Sequence, residues 1–220
     1  MATILCIETA TTNCSVALSV KGNVIELKED YNNKYSHAER LHIYIEEILL
    51  KNNILKSQID AIAVSKGPGS YTGLRIGVSA AKGLCFALEK PLISVPTLDS
   101  LAHQVKETEG FVVPMIDARR MEVYAAVYQA DNKNQLRETR AEVLEEHSFS
   151  HYLEKGIVYF IGDGVEKFKT ICTHKNAIFI EGKLPSANEM GILANNKYKK
   201  SDIEDVAYFE PYYLKDFIAG

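Results

Sequence analysis

Apolar residues in the first half of the chain occur in short runs or alternate with small residues, which is typical of β-strands, while two longer segments carry a helical stripe. Val16, Leu18 and Val20 show the alternation most clearly. The pattern predicts, in order, strands at 3–7, 14–20 and 24–27, a helix from Ser36 to Asn52, a strand at 59–64, a helix at 72–88, a strand at 92–95 and a helix at 97–106. The predicted order is therefore βββαβαβα.

The second half of the chain repeats this order. It predicts strands at 111–117, 122–129 and 140–143, a helix at 145–154, a strand at 157–161, a helix at 164–172, a strand at 177–180 and a last helix from Ser186. No repeat is visible at the level of single residues, so the likeness is one of topology. Two consecutive βββαβαβ units predict a duplicated α/β protein with mixed sheets.

Two helix starts carry a Ser-x-x-Glu spacing. Ser36 with Glu39, and Ser186 with Glu189, have the spacing of a capping box, in which each side chain bonds the free backbone N–H of the other residue. We expect helices to begin at both places.

Composition places the chain among ordinary globular proteins. Its 220 residues have a mass of 24.6 kDa, with 46% hydrophobic and 25% charged residues, which excludes disordered and collagen-like classes. At about 150 residues per domain the length corresponds to about one and a half domains. The net charge of -4 argues against nucleic-acid binding by phosphate neutralisation alone.

The cysteines and the N-terminus predict a reduced, cytoplasmic protein. Cys6, Cys14, Cys85 and Cys172 form no CxxC pair, so we expect neither a zinc site nor a disulfide framework. The first residues lack the basic region of a signal peptide, and Glu8 interrupts their apolar run. We expect no membrane span.

The segment 65–77, SKGPGSYTGLRIG, is rich in glycine and joins a predicted strand to a helix. Such a turn suits a phosphate, since it offers free backbone N–H groups at a helix start. However, Gly73-Leu74-Arg75 stands where a Walker motif needs Gly-Lys-Ser/Thr, and Ser70 is not in a G-x-S-x-G elbow.

Small residues recur every four positions in the helix after this turn. Gly73, Gly77 and Ala81 define this small-residue stripe. Interior glycine costs about 1 kcal/mol relative to alanine, so a close neighbour must compensate. Two interpretations remain open: packing on the chain's own sheet, or contact with a helix of another molecule.

Two polar hairpins fall at equivalent places in the two halves, at 8–13 and 117–120. An acid followed by hydroxyl groups at a hairpin is the phosphate-binding arrangement of actin-like and sugar-kinase proteins. The alternative is that these are polar hairpin tips that only end the strands. The residues of the nucleotide hypothesis are Glu8, Thr9, Thr12, Asn13, Asp117, Gly162 and Gly164.

His147 and His151 have a spacing that, on one helix, is compatible with metal binding. Because no third ligand follows in register, we interpret them as part of a solvated helix face and predict no metal site.

Five motifs, spread along most of the chain, together resemble one family. They are IETATTNCSVAL, SKGPGSYTGLRIGVSAAKGL, PTLDSLA, IDARRMEVYAAVY and the ending PYYL. These motifs are similar to those of the bacterial TsaB (YeaZ) family. The resemblance implies a duplicated actin-like (ASKHA, RNase H-like) fold, with an N-terminal, partner-binding lobe at 1–108 and a smaller C-terminal lobe at 109–220.

The resemblance also implies a non-catalytic role. The related enzyme TsaD carries a His-x-x-x-His metal motif, and Thr97 and Leu101 stand at those positions here. Neither side chain replaces imidazole as a ligand. The family resemblance implies a scaffold that pairs with and activates TsaD, together with the ATPase TsaE. That complex transfers threonylcarbamoyl from threonylcarbamoyl-AMP to the adenosine beside the anticodon of ANN-decoding tRNAs.

The implied partners are TsaD in a heterodimer, TsaE, a second copy when the protein is isolated, and tRNA only through the complex. The implied interface comprises the two N-terminal helices, through Leu41, Ile45, Ile48, Leu49, Gly73, Arg75, Gly77, Ala81 and Leu84. We expect no cofactor of its own, with weak ADP or ATP binding left open. The alternative is an ATP-binding ATPase or kinase of the same fold; a peptidase ranks last, because no elbow, HExxH or triad is present.

Overall fold

The computed structural model describes residues 2–31 and 37–215. Its first sheet has the strand order β3-β2-β1-β4-β5. Strand β2 pairs antiparallel with β1 and β3, whereas β4 is parallel to β1 and β5. The elements are β1 (Thr3–Glu8), β2 (Cys14–Val20), β3 (Asn23–Asp30), α1 (His37–Lys51), a 3-10 turn (Lys56–Gln58), β4 (Ala61–Ser65), α2 (Tyr71–Leu88), β5 (Leu92–Val95) and α3 (Thr97–Ala102).

The second sheet has the equivalent order β10-β9-β6-β7-β8. Here β7 is antiparallel to β6 and β8, and β9 is parallel to β6 and β10. The elements are β6 (Phe111–Asp117), β7 (Glu122–Gln129), β8 (Gln135–Val143), α4 (Ser150–Leu153), β9 (Val158–Ile161), α5 (Val165–Lys169), β10 (Ala177–Ile180) and α6 (Ala187–Lys199). The duplicated βββαβαβ actin-like fold is therefore confirmed.

The predicted helix at 145–154 is mostly wrong, because only α4 is helical there. Phe149 precedes α4 with a φ of 62°, a left-handed conformation that interrupts a helix. Its ring lies 5.6 Å from both Phe160 and Phe168 in the core beneath the second sheet. Burial of this aromatic ring therefore takes precedence over continuation of the helix.

Capping differs at the two predicted helix starts. The box at Ser36 lies outside the described residues. At α6, Ser186 accepts the N–H of Asn188 at 3.1 Å, but the Glu189 carboxylate accepts the side-chain amide of Asn188 instead. Neither bond of the predicted box, which would link Ser186 with Glu189, forms, although the helix begins where expected.

Each face of the first sheet is covered by helices. The apolar stripes of α1 and α2 bury one face, where Leu41 and Ile48 have no exposed surface. The other face is lined by small and apolar residues such as Ala17 and Ala63, and α6 covers it with Ala187, Met190 and Ala194. The four cysteines are free and buried.

The chain divides into two compact units, Met1–Ser100 with Pro185–Gly220, and Leu101–Leu184. The family resemblance places the whole of 109–220 in the C-terminal lobe, whereas α6 lies in the first of these units. Its start is fixed there, because the Ala187 N–H donates to Ser15 Oγ at 3.0 Å and Ser186 Oγ donates to Glu29 at 2.8 Å.

Residues 203–215, which we call the C-terminal strap, run along the first unit. The Glu204 N–H donates to the Leu92 carbonyl, and the Tyr212 N–H donates to the Lys66 carbonyl. Lys82 of α2 donates to the carbonyls of Ala207 and Phe209 at 3.1 and 3.0 Å. Side-chain and backbone bonds together therefore hold the strap against α2 and β5. Among the described residues, no helix is both long and apolar enough to span a membrane.

Candidate functional site

The hairpin between β1 and β2 holds a buried carboxyl group. Glu8 is fully buried, and its Oε1 accepts the N–H of Ala10 at 2.6 Å and the hydroxyl of Ser65 at 2.7 Å. Its Oε2 has no hydrogen-bond partner. Burial raises the pKa of Glu8 to about 7, against the smaller lowering effect of these bonds.

Thr9, the next residue, explains the small-residue stripe of α2. Its Oγ1 donates to the carbonyl of Gly73 at 2.8 Å. A Cβ on Gly73 would lie 2.2 Å from the Thr9 carbonyl oxygen, and one on Gly77 would lie 2.2 Å from Thr9 Oγ1. The close neighbour that compensates for these glycines is therefore the chain's own hairpin.

The remaining hairpin groups also bond within the first unit. Ser70 donates its N–H to the Ala10 carbonyl at 2.6 Å, and Asn13 donates its amide to the Pro185 carbonyl at 2.9 Å. His37 Nε2 bonds the Thr11 carbonyl at 2.8 Å. Thr12 is only half-buried. The groups proposed to hold phosphate at Glu8, Thr9 and Asn13 are thus engaged by the fold itself.

The two glycines of the nucleotide hypothesis lie in the turn between β9 and α5, next to the second hairpin. A Cβ on Gly162 would lie 2.1 Å from the Met115 carbonyl oxygen, and one on Gly164 would lie 2.7 Å from Val123. The Asp117 N–H donates to Asp163 Oδ1 at 2.8 Å. The structure therefore brings Asp117, Gly162 and Gly164 together, and close packing of the turn against β6 and β7 accounts for both glycines.

Thr97 and Leu101, which the family resemblance aligns with metal ligands of TsaD, have structural contacts. Thr97 is buried, and its hydroxyl accepts the N–H of Gly67 at 3.1 Å while its own N–H donates to the Gly67 carbonyl. This reciprocal pair fixes the glycine-rich loop. Leu101 is fully buried and lies against Gly162.

The two histidines do not share a helix. His147 precedes α4, whereas His151 lies within it and bonds Lys155 at 2.8 Å. Across residues 2–31 and 37–215, no cluster of three His, Cys, Asp or Glu side chains has the geometry to hold a metal ion.

Comparison with known proteins identifies the family. The model of the family "TsaD: tRNA N6-adenosine threonylcarbamoyltransferase" matches residues 32–220. The "tRNA threonylcarbamoyladenosine biosynthesis protein TsaB" of Escherichia coli is 31% identical, over 98% of this chain and 96% of that protein. The chain belongs to the TsaB family. The TsaB of Haemophilus influenzae is also 31% identical, over 97% of this chain and 94% of that protein.

Solved structures agree with this membership of the TsaB family. "YeaZ from Pseudomonas aeruginosa" superposes with a TM-score of 0.84 at 28% identity, covering 97% of this chain and all of that one. A second structure, of "an uncharacterized protein with similarity to peptidase YEAZ" from the same organism, gives 0.86 at 27% identity, covering 98% of this chain and 100% of that chain.

Most of the interface residues predicted for this TsaB-family chain are buried in its own core. The stripes of α1 and α2 face the first sheet because an amphipathic helix buries its apolar face first. Of the predicted set, Arg75 is exposed, 4.5 Å above the Tyr71 ring, and Leu84 is half-buried. The buried members are Leu41, Ile45, Ile48, Leu49, Gly73, Gly77 and Ala81. Their side chains therefore do not form a surface.

A different set of apolar residues lies on the solvent side of the two helices. Ile43 and Leu50 of α1 are 53% and 69% exposed, and Phe86 of α2 is 85% exposed. At Gly83, also on α2, an added Cβ would have no neighbouring atom within 4 Å. We call Ile43, Leu50, Gly83 and Phe86 the outer face. In the sequence these residues are apolar or small but fall outside the helical period of the buried stripes. That pattern is the signal that would have indicated them.

A groove of about 240 Å³ lies between α2 and the C-terminal strap, beside the outer face. Arg75 and Lys82 line one side, and Glu210 lies on the other; its remaining lining residues are Val78, Ser79, Phe209, Pro211 and Tyr213. The strap therefore forms part of the same surface as α2.

Proposed function

We propose that this chain is a non-catalytic scaffold of the complex that transfers threonylcarbamoyl from threonylcarbamoyl-AMP to the adenosine beside the anticodon of ANN-decoding tRNAs. The observation that carries this proposal is the correspondence with TsaB proteins along almost the whole chain. In this role the chain pairs with and activates TsaD and works with TsaE, and it meets tRNA within the complex.

The burial and hydrogen bonds of the candidate catalytic and phosphate-binding side chains support a non-catalytic role. Thr97 and Leu101 replace the metal ligands of the paralogue, and each packs inside the fold. Glu8 and Thr9, which a kinase-like site would direct at a phosphate, are buried and bonded to their own unit. The chain's contribution is then structural, and TsaD supplies the catalytic residues.

The surface we propose for TsaD is the outer face. Three large apolar side chains exposed on neighbouring helices resemble the apolar centre of a protein interface. Gly83 allows a partner helix to approach α2 closely. The same surface would join two copies of the isolated chain.

The test is co-purification of the chain with TsaD and TsaE from the same bacterium, followed by analysis of tRNA nucleosides. We expect Phe86→Asp to weaken TsaD binding at least tenfold and to lower threonylcarbamoyladenosine formation, with unchanged thermal stability of the isolated chain. The matched control is Ile192→Asp, since Ile192 is 45% exposed on α6, which covers the opposite face of the sheet. Equal effects of the two substitutions would refute the proposed surface.

A separate measurement distinguishes the scaffold from an ATPase or kinase. Calorimetry of the isolated chain with ATP and magnesium should show no tight binding and no turnover. Threonylcarbamoyl transfer by the chain alone, without TsaD, would contradict the non-catalytic role.

A further inference from the structure

The hairpin between β6 and β7 in the second unit presents two adjacent arginines. Arg119 and Arg120 are both exposed, and their φ angles are 70° and 51°. Residues other than glycine rarely adopt this left-handed backbone conformation. Within residues 2–31 and 37–215, they are the only neighbouring pair of non-glycine residues that both do so.

The backbone at Arg119 and Arg120, which we call the tip, is held in place by bonds within the second unit. The Arg119 N–H donates to Asp117 Oδ1. Lys167 of α5, whose side chain is only 14% exposed, donates to the carbonyls of Arg120 and Glu122 at 2.7 and 2.8 Å. Because these bonds hold the backbone in a strained conformation, the tip has a defined structure and the two arginine side chains start from fixed positions.

Among the described residues, the guanidinium groups of Arg119 and Arg120 have no hydrogen-bond or ion-pair partner. The chain has six arginines, and four of them have partners: Arg40 with Asp30, Arg75 over Tyr71, and Arg137 and Arg140 with Glu142. In the part of the chain that the structure describes, the side chains of Arg119 and Arg120 make no hydrogen bond or ion pair. They are therefore available to an external anion.

Two carboxyl groups beside the tip, those of Asp117 and Asp163, bond to groups other than the two guanidiniums. Asp117 pairs with Lys167 at 3.1 Å. Asp163 accepts the Asp117 N–H, and burial raises the pKa of its carboxyl above the ordinary value. Both carboxyl groups thus take part in the bonds that hold the backbone of the tip in place.

We propose that Arg119 and Arg120 bind neighbouring backbone phosphates of the RNA substrate. This inference rests on the proposed function, which supplies RNA as the substrate. Planar guanidinium groups match phosphate oxygens in a bidentate manner, and consecutive residues place two of them within about 4 Å of each other at the backbone. Two contacts are compatible with a net charge of -4, because the complex as a whole provides most of the affinity.

The test variant is Arg119→Gly/Arg120→Gly in the reconstituted complex. Glycine accepts the positive φ angles, so we expect a thermal midpoint no lower than that of the wild type. Binding of fluorescent substrate tRNA is measured between about 50 and 200 mM salt. Each lost phosphate contact removes about 0.7 to 0.9 from the log–log salt slope. We therefore expect a slope shallower by about 1.5 and an affinity lower by roughly tenfold.

Two further variants test whether the effect depends on the positive charge of residues 119 and 120 and on their position in the second unit. Arg119→Lys/Arg120→Lys keeps both charges and should retain most of the salt slope. Lys155→Ala/Lys175→Ala removes two charges where β9 and β10 begin, at the end of the parallel strands opposite to the tip, and should leave the slope unchanged.

An unchanged slope in the glycine variant would overturn the inference. Loss of TsaD binding at an unchanged slope would also overturn it, since the tip would then contact an acidic protein surface. Failure of the proposed function is distinguishable, because the wild-type chain itself would then neither assemble with TsaD nor support tRNA modification; that result would overturn both.

Discussion

Gly73→Ala and Gly83→Ala introduce the same methyl group into the same helix, and we expect opposite effects on stability. At Gly73 the new Cβ would lie 2.2 Å from the Thr9 carbonyl oxygen, which is backbone and has no alternative rotamer. At Gly83 nothing lies within 4 Å. Both positions are in α2, so the comparison isolates the packing of the N-terminal half of α2 against the β1–β2 hairpin.

The magnitude follows from the distance that must be restored. An ordinary contact begins near 3.4 Å, so α2 or the hairpin must move by about 1.2 Å. Overpacking costs about 1–3 kcal/mol, and loss of the bond from Thr9 to the Gly73 carbonyl costs about 1 kcal/mol more. The higher helix propensity of alanine recovers about 1 kcal/mol. We expect Gly73→Ala to lower the free energy of unfolding by about 2 kcal/mol, and Gly83→Ala to raise it by up to about 1 kcal/mol.

Urea denaturation followed by far-ultraviolet circular dichroism measures both values. Several protein concentrations are needed, because Gly83 lies on the outer face and a homodimer would couple stability to concentration. A Gly73→Ala variant as stable as the wild type would refute the close packing of α2 on the hairpin. A Gly83→Ala variant as unstable as Gly73→Ala would show that general loss of glycine, and not its neighbour, is the cause.

Three other predictions follow from buried groups and from the strap. Burial raises the pKa of Glu8 from 4.5 to about 7, so the folded state retains a proton that the unfolded state has lost; the free energy of unfolding should fall between about pH 4.5 and 7 by an amount on the order of 3 kcal/mol. Glu8→Gln should flatten this fall in urea titrations across that range, and an unaltered pH profile would contradict the assignment to Glu8. Lys82→Met removes two bonds to the strap, so limited proteolysis should cleave residues 203–215 faster than in the wild type while the rest of the chain stays resistant; equal cleavage rates would show that Lys82 does not hold the strap. Thr97→Val leaves the buried Gly67 N–H without its acceptor and should lower the free energy of unfolding, measured by urea denaturation, by about 1–3 kcal/mol. Thr97→Ser keeps the hydroxyl and should be close to the wild type. A valine variant as stable as the wild type would contradict the role of the hydroxyl.

Much of the fold could be predicted because its elements follow local rules. Alternation in β2 and the stripes of α1 and α2 appear in the structure at almost the predicted bounds. The expected class of partner came from the family motifs through resemblance alone. Where the prediction failed, at 145–154, a long-range aromatic contact of Phe149 outweighed local helix propensity.

The candidate sites were less predictable, since each depends on residues far apart in the chain. The sequence shows Glu8 as an acid at a hairpin, but its bond to Ser65 spans 57 positions. Lys167 gives no sequence signal, yet it fixes the tip that carries Arg119 and Arg120. For the interface, the apolar residues of α1 do form the predicted stripe, but that stripe is buried and its assignment to a surface is wrong.

The sequence by itself determined most of the order of elements, the apolar stripe of each long helix and the family. Periodicity suffices for the elements and their stripes because it reflects which side chains share one face. Only the tertiary structure decided what covers each buried face: the small-residue stripe meets Thr9, and α6 returns to the first sheet. The physical reason is that burial of apolar surface is non-directional, whereas the choice of neighbour depends on shape and hydrogen bonds that form only when distant segments meet.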